Sequence, residues 1–281
     1  MNRLLAGLIA VAFVLPAVPV AAQEAVPDEA LRTVLKEIAK KKTGKEDLTD
    51  EVLRDVFFLE APKKGIKDLT GLEKMTNLAS IDLSGNEIVD VKPLAGLVNV
   101  QTLDLHANKI KDVSPLKDLK KLQYLQLEQN EIEDVAPLAG LTATASLYLT
   151  SNKIGNVEPL AKMEKLASLY LGKNQIADLK PLAGLKRLGT LDLRSNKITD
   201  LSPLKEMNEL RWTFLQGNEI TDLAPLVEMA KKDAEGEKRF APYWHLYLGE
   251  NPLTDDAKTK QVEALKALGV RVDTTAPAEK K

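Results

Sequence analysis

Asparagine recurs in this chain at a fixed interval. Seven asparagines follow one another with a constant period of 22, and an eighth follows at an interval of 33: Asn86, Asn108, Asn130, Asn152, Asn174, Asn196, Asn218 and Asn251. A period of this length is the signature of stacked structural units, each of which contacts its neighbours along the chain. The period therefore constrains the fold more strongly than length or composition does.

Apolar residues keep fixed places around each asparagine, at eight, five and three positions before it and two positions after it. Around Asn130 these residues are Leu122, Leu125, Leu127 and Ile132. The pattern LxxLxLxxNxL is that of a leucine-rich repeat. Its LxL centre alternates with period two, which predicts a short strand with one buried face.

Each unit also carries a proline before a leucine, such as Pro115 before Leu116, which indicates a short helical turn after the strand. The predicted fold class is α/β: a leucine-rich repeat solenoid with a curved, parallel β-sheet on its concave face. Short 3₁₀ or α turns form the convex face, and helical caps close both ends. Thr144 and Thr213 occupy places that usually hold leucine, and the sequence offers no reason for either.

The asparagines themselves have a predicted structural role. A carboxamide offers one acceptor and two donors, so it can pair backbone groups of its own coil and of the next one. We therefore assign all eight to a structural ladder rather than to function. Aspartates lie four positions after most of them, and this row could suggest calcium. Asn156 interrupts the row, however, which favours a backbone-capping turn and no metal site.

Residues 1–22 have the pattern of a secretory signal peptide. Arg3 precedes an apolar run from Leu4 to Val20, and small residues stand before Gln23. A membrane anchor is the alternative, but Pro16 and Pro19 interrupt the run. The chain has no cysteine, hence no disulfide framework. We expect an extracytoplasmic protein, periplasmic or secreted, that is monomeric and has no membrane insertion after signal cleavage.

The remaining chain divides into four predicted segments. A helical N-terminal cap spans 23–60, and leucine-rich repeats span 61–253 in about eight units of the asparagine period, with an insertion near 228–242. A C-terminal capping helix and end span 254–272, and a disordered tail spans 273–281. Caps are expected because a terminal coil would otherwise expose its apolar face.

Charge and residue types exclude several functions. With 39 basic and 41 acidic residues, the chain has no basic surplus typical of nucleic-acid binding. Its two histidines, His106 and His245, are far apart by repeat count, and no glycine-rich phosphate loop or metal-ligand spacing occurs. We predict that the protein is not an enzyme and uses no cofactor.

Function is expected on the exposed strand positions, six and four places before each asparagine. Aromatic side chains concentrate there, toward the C-terminal end, and such clusters mark partner surfaces. The alternative is cross-strand packing. The ligand is predicted to be a protein, or else a glycan stacked on Tyr148, Tyr170, Trp212 and Tyr247. The candidate partner-binding residues are Tyr124, Tyr148, Tyr170, Asp192, Trp212, Phe214, His245 and Tyr247.

The chain resembles the bacterial leucine-rich repeat proteins of the internalin-like type, which have 22-residue repeats. The resemblance rests on the motif LxxLxLxxNxIxDLxPLxxL, present from Leu188 to Leu204, and on the cap that begins VPDEALR at 26–32. It covers roughly residues 26–253. It implies a leucine-rich repeat solenoid, and it implies that the concave sheet binds a partner, as internalins bind host receptors.

Overall fold

The computed structural model describes residues 25–236 and 238–275. The predicted signal peptide and most of the predicted tail, residues 276–281, therefore lie outside the described residues. Among those that are described, no helix has the length and apolar character needed to cross a membrane.

Ten parallel strands form one sheet whose strand order follows the chain. Successive strands pair residues 22 apart, such as Leu103 with Leu125. The strands on either side of the 33-residue interval are neighbours as well, since Trp212 pairs with His245. The predicted fold class is thus confirmed. The strands are β1 (Phe58–Glu60), β2 (Ser80–Asp82), β3 (Thr102–Asp104), β4 (Tyr124–Gln126), β5 (Ser146–Tyr148), β6 (Ser168–Tyr170), β7 (Thr190–Asp192), β8 (Trp212–Phe214), β9 (His245–Tyr247) and β10 (Arg271–Asp273).

Short 3₁₀ turns run along the opposite side of the solenoid. Most have a proline in the first two positions, where the missing N–H has no helical partner to lose. Their leucines point inward and are fully buried, like the strand leucines. The turns are Leu72–Lys74, Lys92–Leu94, Ser114–Leu116, Ala136–Gly140, Glu158–Lys162, Lys180–Leu182, Ser202–Glu206 and Ala241–Tyr243.

Each ladder asparagine joins two neighbouring coils. The Asn130 carbonyl oxygen accepts the Ile110 N–H at 3.0 Å, one coil back. Its amide donates to the Leu105 carbonyl at 3.0 Å in that coil and to the Leu127 carbonyl at 3.1 Å in its own. These backbone groups are buried where the strand ladder stops, so the side chain supplies partners that water cannot.

The aspartate row four positions later caps turns. Asp112 accepts the backbone N–H of Ser114 at 2.8 Å, and Asn156 accepts that of Glu158 at 2.9 Å in the same way. A carboxylate and a carboxamide thus perform the same task, which is the Asx turn inferred from the sequence. No group of three or more metal-ligating side chains occurs among the described residues.

Two helices close the N-terminal end: α1 (Glu29–Thr43) and α2 (Asp50–Arg54). Asp28 caps α1 by accepting the Leu31 N–H at 2.9 Å, and its other oxygen accepts the N–H groups of Lys67 and Asp68. One carboxylate therefore fastens the cap to the first coil. The segment 23–60, predicted as a helical cap, also contains strand β1. A strand forms there because Leu59 fills the same buried place in its coil as Ile81 of β2 does in the next one.

The 228–242 insertion lengthens one convex element and leaves the sheet intact. Helix α3 (Ala224–Glu235) replaces the usual 3₁₀ turn, packing against the preceding turn at Ser202–Glu206. Asp233 then accepts the backbone N–H groups of Arg239, Phe240 and Ala241, which folds the end of the insertion back to β9.

The C-terminal end differs from its prediction in two respects. The expected single closing helix consists of a π turn, Ala257–Gln261, followed by α4 (Val262–Ala267). After α4 the chain returns to the sheet and adds β10, so Asp273 belongs to a strand rather than to a disordered tail. Gly269, at φ 92°, makes this reversal beside Pro242, where a Cβ would lie 3.2 Å from the Pro242 Cα.

Candidate functional site

The predicted binding residues lie on the strand positions that point away from the leucine core, and this surface is called the concave face. Three of them form a tyrosine stack: Tyr124, Tyr148 and Tyr170. The rings of Tyr148 and Tyr170 are 4.5 Å apart and inclined by 7°, while Tyr124 is tilted 46° to Tyr148 at 5.2 Å. The parallel, in-register strands β5 and β6 hold the rings of Tyr148 and Tyr170 face to face, whereas Tyr124 lies diagonally to Tyr148, whose register partner on β4 is Gln126.

The tyrosine stack is half-buried, and burial raises the pKa of two of its phenols. Burial, with smaller contributions from the neighbouring Tyr148 and Asp104, raises the pKa of Tyr124 to about 12. Burial likewise raises the pKa of Tyr170. Both phenols are therefore neutral donors and acceptors at physiological pH.

The C-terminal aromatic cluster consists of Trp212, Phe214, His245 and Tyr247. Trp212 stacks on His245 at 4.0 Å and 18°, and Phe214 stacks on Tyr247 at 4.8 Å and 11°. Trp212 and Phe214 lie on β8, and their register partners His245 and Tyr247 lie on β9. The two strands are adjacent in space although the insertion separates them in the chain. Trp212 is 40% exposed.

An arginine flanks each side of the C-terminal aromatic cluster. The Arg194 guanidinium carbon lies 5.2 Å from the centre of the Phe214 ring. On the other side, Arg271 approaches His245 Nε2 to 3.1 Å. Because arginine only donates, this contact makes Nε2 an acceptor. Burial, and then the Arg271 charge, lower the pKa of His245, which agrees with a neutral imidazole.

The sequence predicts that Asp192 contacts a partner. Its side chain is buried instead, with only 1% exposed. It binds Arg194 in two places, at 3.0 Å to Nε and 2.7 Å to Nη2. Space for the carboxylate exists because Gly172 of the preceding coil has no side chain: a Cβ there would lie 3.1 Å from Asp192 Oδ1. The side chain that reaches solvent is Arg194, and Asp192 holds it in place.

Sequence reasoning missed a third column of side chains on this face, two places before each asparagine, whose members are half-buried or buried. It contains Arg194, and also His106, whose Nδ1 lies 2.8 Å from Asp104 Oδ1. It missed Phe58 as well, which is 68% exposed and lies one repeat period before Ser80. Counting on the same 22-residue interval would have found both.

Carboxylates concentrate on the N-terminal half of the concave face. Glu60, Asp82 and Asp104 are neighbours in the strand register. Asp82 accepts the Ser84 N–H at 2.9 Å, and Asp104 accepts that of His106 at 3.0 Å. The face therefore changes from acidic at β1–β3 to aromatic with flanking arginines at β7–β10.

Known proteins share both the motif and the fold. A family model described as "Leucine Rich repeats (2 copies)" matches residues 98–140 and 164–206. Internalin C2 from Listeria monocytogenes is 36% identical with a TM-score of 0.70, over 73% of this chain and 91% of that one. An internalin F from the same species is 26% identical over 91% of both chains, with a TM-score of 0.57.

A leucine-rich repeat protein from Leptospira interrogans shares the fold at 23% identity, with a TM-score of 0.63 over 76% of this chain and 52% of that one. None of the curated proteins matches the chain in sequence. The asparagine ladder, the helical cap and the identity to internalin C2 agree on one family. The chain belongs to the internalin-like leucine-rich repeat proteins of bacteria.

Proposed function

We propose that this protein binds another protein through its concave face and performs no catalysis. The observation that carries the proposal is the orientation of the aromatic rings. Neighbouring rings stack face to face across strands in three pairs: Tyr148 with Tyr170, Trp212 with His245, and Phe214 with Tyr247. Their edges and polar tips remain for a ligand, while the faces within each stack are occupied.

This orientation favours a protein ligand over a glycan. A sugar ring binds an aromatic side chain by lying on its exposed face. Tyr148 and Tyr170 cover one another at 4.5 Å, and Phe214 and Tyr247 cover one another at 4.8 Å. Tyrosine and tryptophan edges with fixed hydroxyl and N–H groups are, in contrast, the usual anchors of protein interfaces.

The site is also rigid before any ligand arrives. Each ring is held by a neighbour on the next strand, and Arg194 is held by Asp192 on one side and Phe214 on the other. Side chains that are already ordered lose little conformational entropy on binding. A preformed surface of this kind suits recognition of a folded partner.

We further propose that residues 1–22 are a signal peptide and that the protein acts outside the cytoplasm as a monomer. The support is the short positive start, the apolar run and the small residues before Gln23. Fractionation of cells that express the full chain, with N-terminal sequencing of the exported form, tests this. An uncleaved chain in the cytoplasm would contradict it.

The binding proposal is tested by placing a photo-crosslinking amino acid at Tyr170 on the concave face and, as a control, at Lys162 in a convex turn. A partner captured only from position 170 is then purified. Its affinity is measured for the unmodified chain and for the double variant Trp212→Ala, Tyr247→Ala. We expect loss of binding with an intact far-ultraviolet circular dichroism spectrum.

A glycan array with the same proteins separates the two ligand classes. Specific glycan binding that the double variant loses would contradict the proposal of a protein ligand. Equal affinity of the purified partner for both proteins would show that the C-terminal aromatic cluster is not the contact surface.

A further inference from the structure

Cationic side chains surround a groove on the flank where the chain runs from the convex turns into β6, β7 and β8. Its cations are Lys165, Lys186, Arg187 and Arg211, and its volume is about 590 Å³. This cationic groove lies at the start of the strands. The concave binding residues described above are on the strands themselves.

The floor of the groove consists of small residues at one repeat position. Seven places before the ladder asparagine stand Ala167 and Gly189, with Ala145 at the same place one coil earlier, whereas Gln101 and Gln123 occupy it in two coils nearer the N-terminus. A Cβ built on Gly189 would meet nothing closer than the Glu209 carbonyl oxygen at 3.7 Å. The floor of the groove is therefore backbone, and the flanking cations rise above it.

The cations of the groove are not neutralised within the described part of the chain. Lys165, Lys186 and Arg187 have no carboxylate within 4.0 Å there. The one acidic residue that lines the groove, Glu209, is paired with Arg239. Lysines on the opposite flank differ, since Lys109 pairs with Glu87 at 2.9 Å and Lys153 with Glu131 at 3.3 Å.

Arg211 is held in a fixed position at the end of the groove. Its Nη1 donates to the Arg239 carbonyl at 2.9 Å, and its guanidinium carbon lies 5.5 Å from the Tyr243 ring centre. An ordered guanidinium binds an oxyanion with less entropic cost than a free one. The groove thus combines one fixed fork of donors with three exposed cations.

We propose that the cationic groove binds a phosphorylated ligand that carries several negative charges. A single carboxylate would neutralise only one of four neighbouring cations. Phosphoryl groups carry up to two charges and accept from both arginine forks and lysine ammonium groups. The four cations belong to three successive coils, so a ligand that reaches all of them carries its phosphoryl groups along a chain that crosses these coils.

The test uses inorganic phosphate and inorganic tripolyphosphate as probes, with isothermal titration calorimetry on the purified chain. Tripolyphosphate is expected to bind more tightly than phosphate, and its affinity should fall as salt rises. The double variant Lys186→Ser, Arg187→Ser is expected to lower the affinity at least about tenfold. The matched control Lys109→Ser, Lys153→Ser removes the same charge from the opposite flank and should leave the affinity unchanged.

A second variant tests the shape of the groove without changing its charge. Gly189→Gln restores the residue type that Gln101 and Gln123 have at this repeat position, so the coil should accept it. The glutamine fills the groove floor and is expected to weaken tripolyphosphate binding. If Gly189→Gln fails to fold, the pair of charge variants still decides the question.

Three results would overturn the proposal: no tripolyphosphate binding, equal loss in the opposite-flank control, or equal affinity for a hexaglutamate peptide. The last would mean that the groove selects negative charge in general. The concave-face variant Trp212→Ala, Tyr247→Ala should retain tripolyphosphate binding, which keeps this test separate from that of the proposed function.

Discussion

Trp244 and Thr213 form a hydrogen bond in the interior of the solenoid. The indole Nε1 donates to the threonine Oγ1 at 2.8 Å, and both side chains are fully buried. Thr213 stands in a leucine position on β8 because the insertion after it brings a tryptophan, with an N–H to satisfy, against that coil. Thr144 has a similar reason, since its hydroxyl donates to the Leu122 carbonyl at 3.0 Å.

Removing the Thr213 hydroxyl should destabilise the C-terminal coils. Thr213→Val keeps the side-chain shape and leaves the Trp244 N–H buried without a partner, so the free energy of unfolding should fall by about 1–3 kcal/mol. Urea denaturation measures it. Adding Trp244→Phe removes the orphaned donor, so the double variant should lose less than the sum of the two single variants. Strict additivity would contradict this role.

The ladder asparagine should matter more than the turn aspartate. Asn130→Ala removes hydrogen bonds to three buried backbone groups, those of Leu105, Ile110 and Leu127. At about 1–3 kcal/mol for each orphaned group, we expect a loss of about 3 kcal/mol or more. Asp112→Ala, on an exposed turn, should cost about 1 kcal/mol. Equal thermal midpoints for the two variants would contradict the ladder argument.

Asp28 should make the N-terminal cap sensitive to acid. Burial raises the pKa of this carboxyl, but the backbone N–H groups of Leu31, Lys67 and Asp68 lower it more, so its pKa is below the ordinary value. A depressed folded-state pKa stabilises the protein above the unfolded pKa, and this stability is lost as pH falls through the folded pKa. The protection of α1 against hydrogen exchange, relative to the intrinsic exchange rate at each pH, should therefore decrease in that acidic range.

Asp28→Asn provides the control for the acid sensitivity. It keeps one acceptor oxygen but cannot titrate. The protection of α1 in this variant should be lower at neutral pH and should change less between neutral and acidic pH. If both proteins show the same pH dependence, the effect arises from other carboxyl groups.

Tyr124 of the tyrosine stack should lose its proton at a higher pH than an ordinary tyrosine. With a pKa of about 12, Tyr124 remains neutral well above the ordinary tyrosine value of 10.0. Because the folded pKa is raised, the stabilising contribution is complete below pH 10 and is lost as pH rises through about 12. Absorbance at the phenolate band should show a late step that Tyr124→Phe removes. A titration complete near pH 10 in the unmodified protein would contradict the burial of this phenol.

The repeat interval is sufficient to predict most of the fold. Leucine positions and the asparagine ladder specify each coil locally, and stacking repeats that specification along the ten strands of the sheet. The same interval locates the strand positions that point away from the core. It therefore places four aromatic residues on the concave face: Tyr148, Tyr170, Trp212 and Tyr247. Strand β10, which follows Gly269, lies beyond the last repeat unit. It was not predicted, because nothing in the repeat pattern requires a further strand there.

The sequence by itself determined which strand positions face the core and which lie on the concave face, since period-two alternation fixes the side of every strand residue. Only the tertiary structure decided which side chains of the concave face are buried and which side chains they contact. It buries Asp192 in the space above Gly172 and leaves Arg194 at the surface. It turns the rings face to face, and it joins Trp244 to Thr213 across 31 residues. These outcomes depend on side-chain volumes and on contacts between neighbouring coils, and the spacing of residues along the sequence does not specify either.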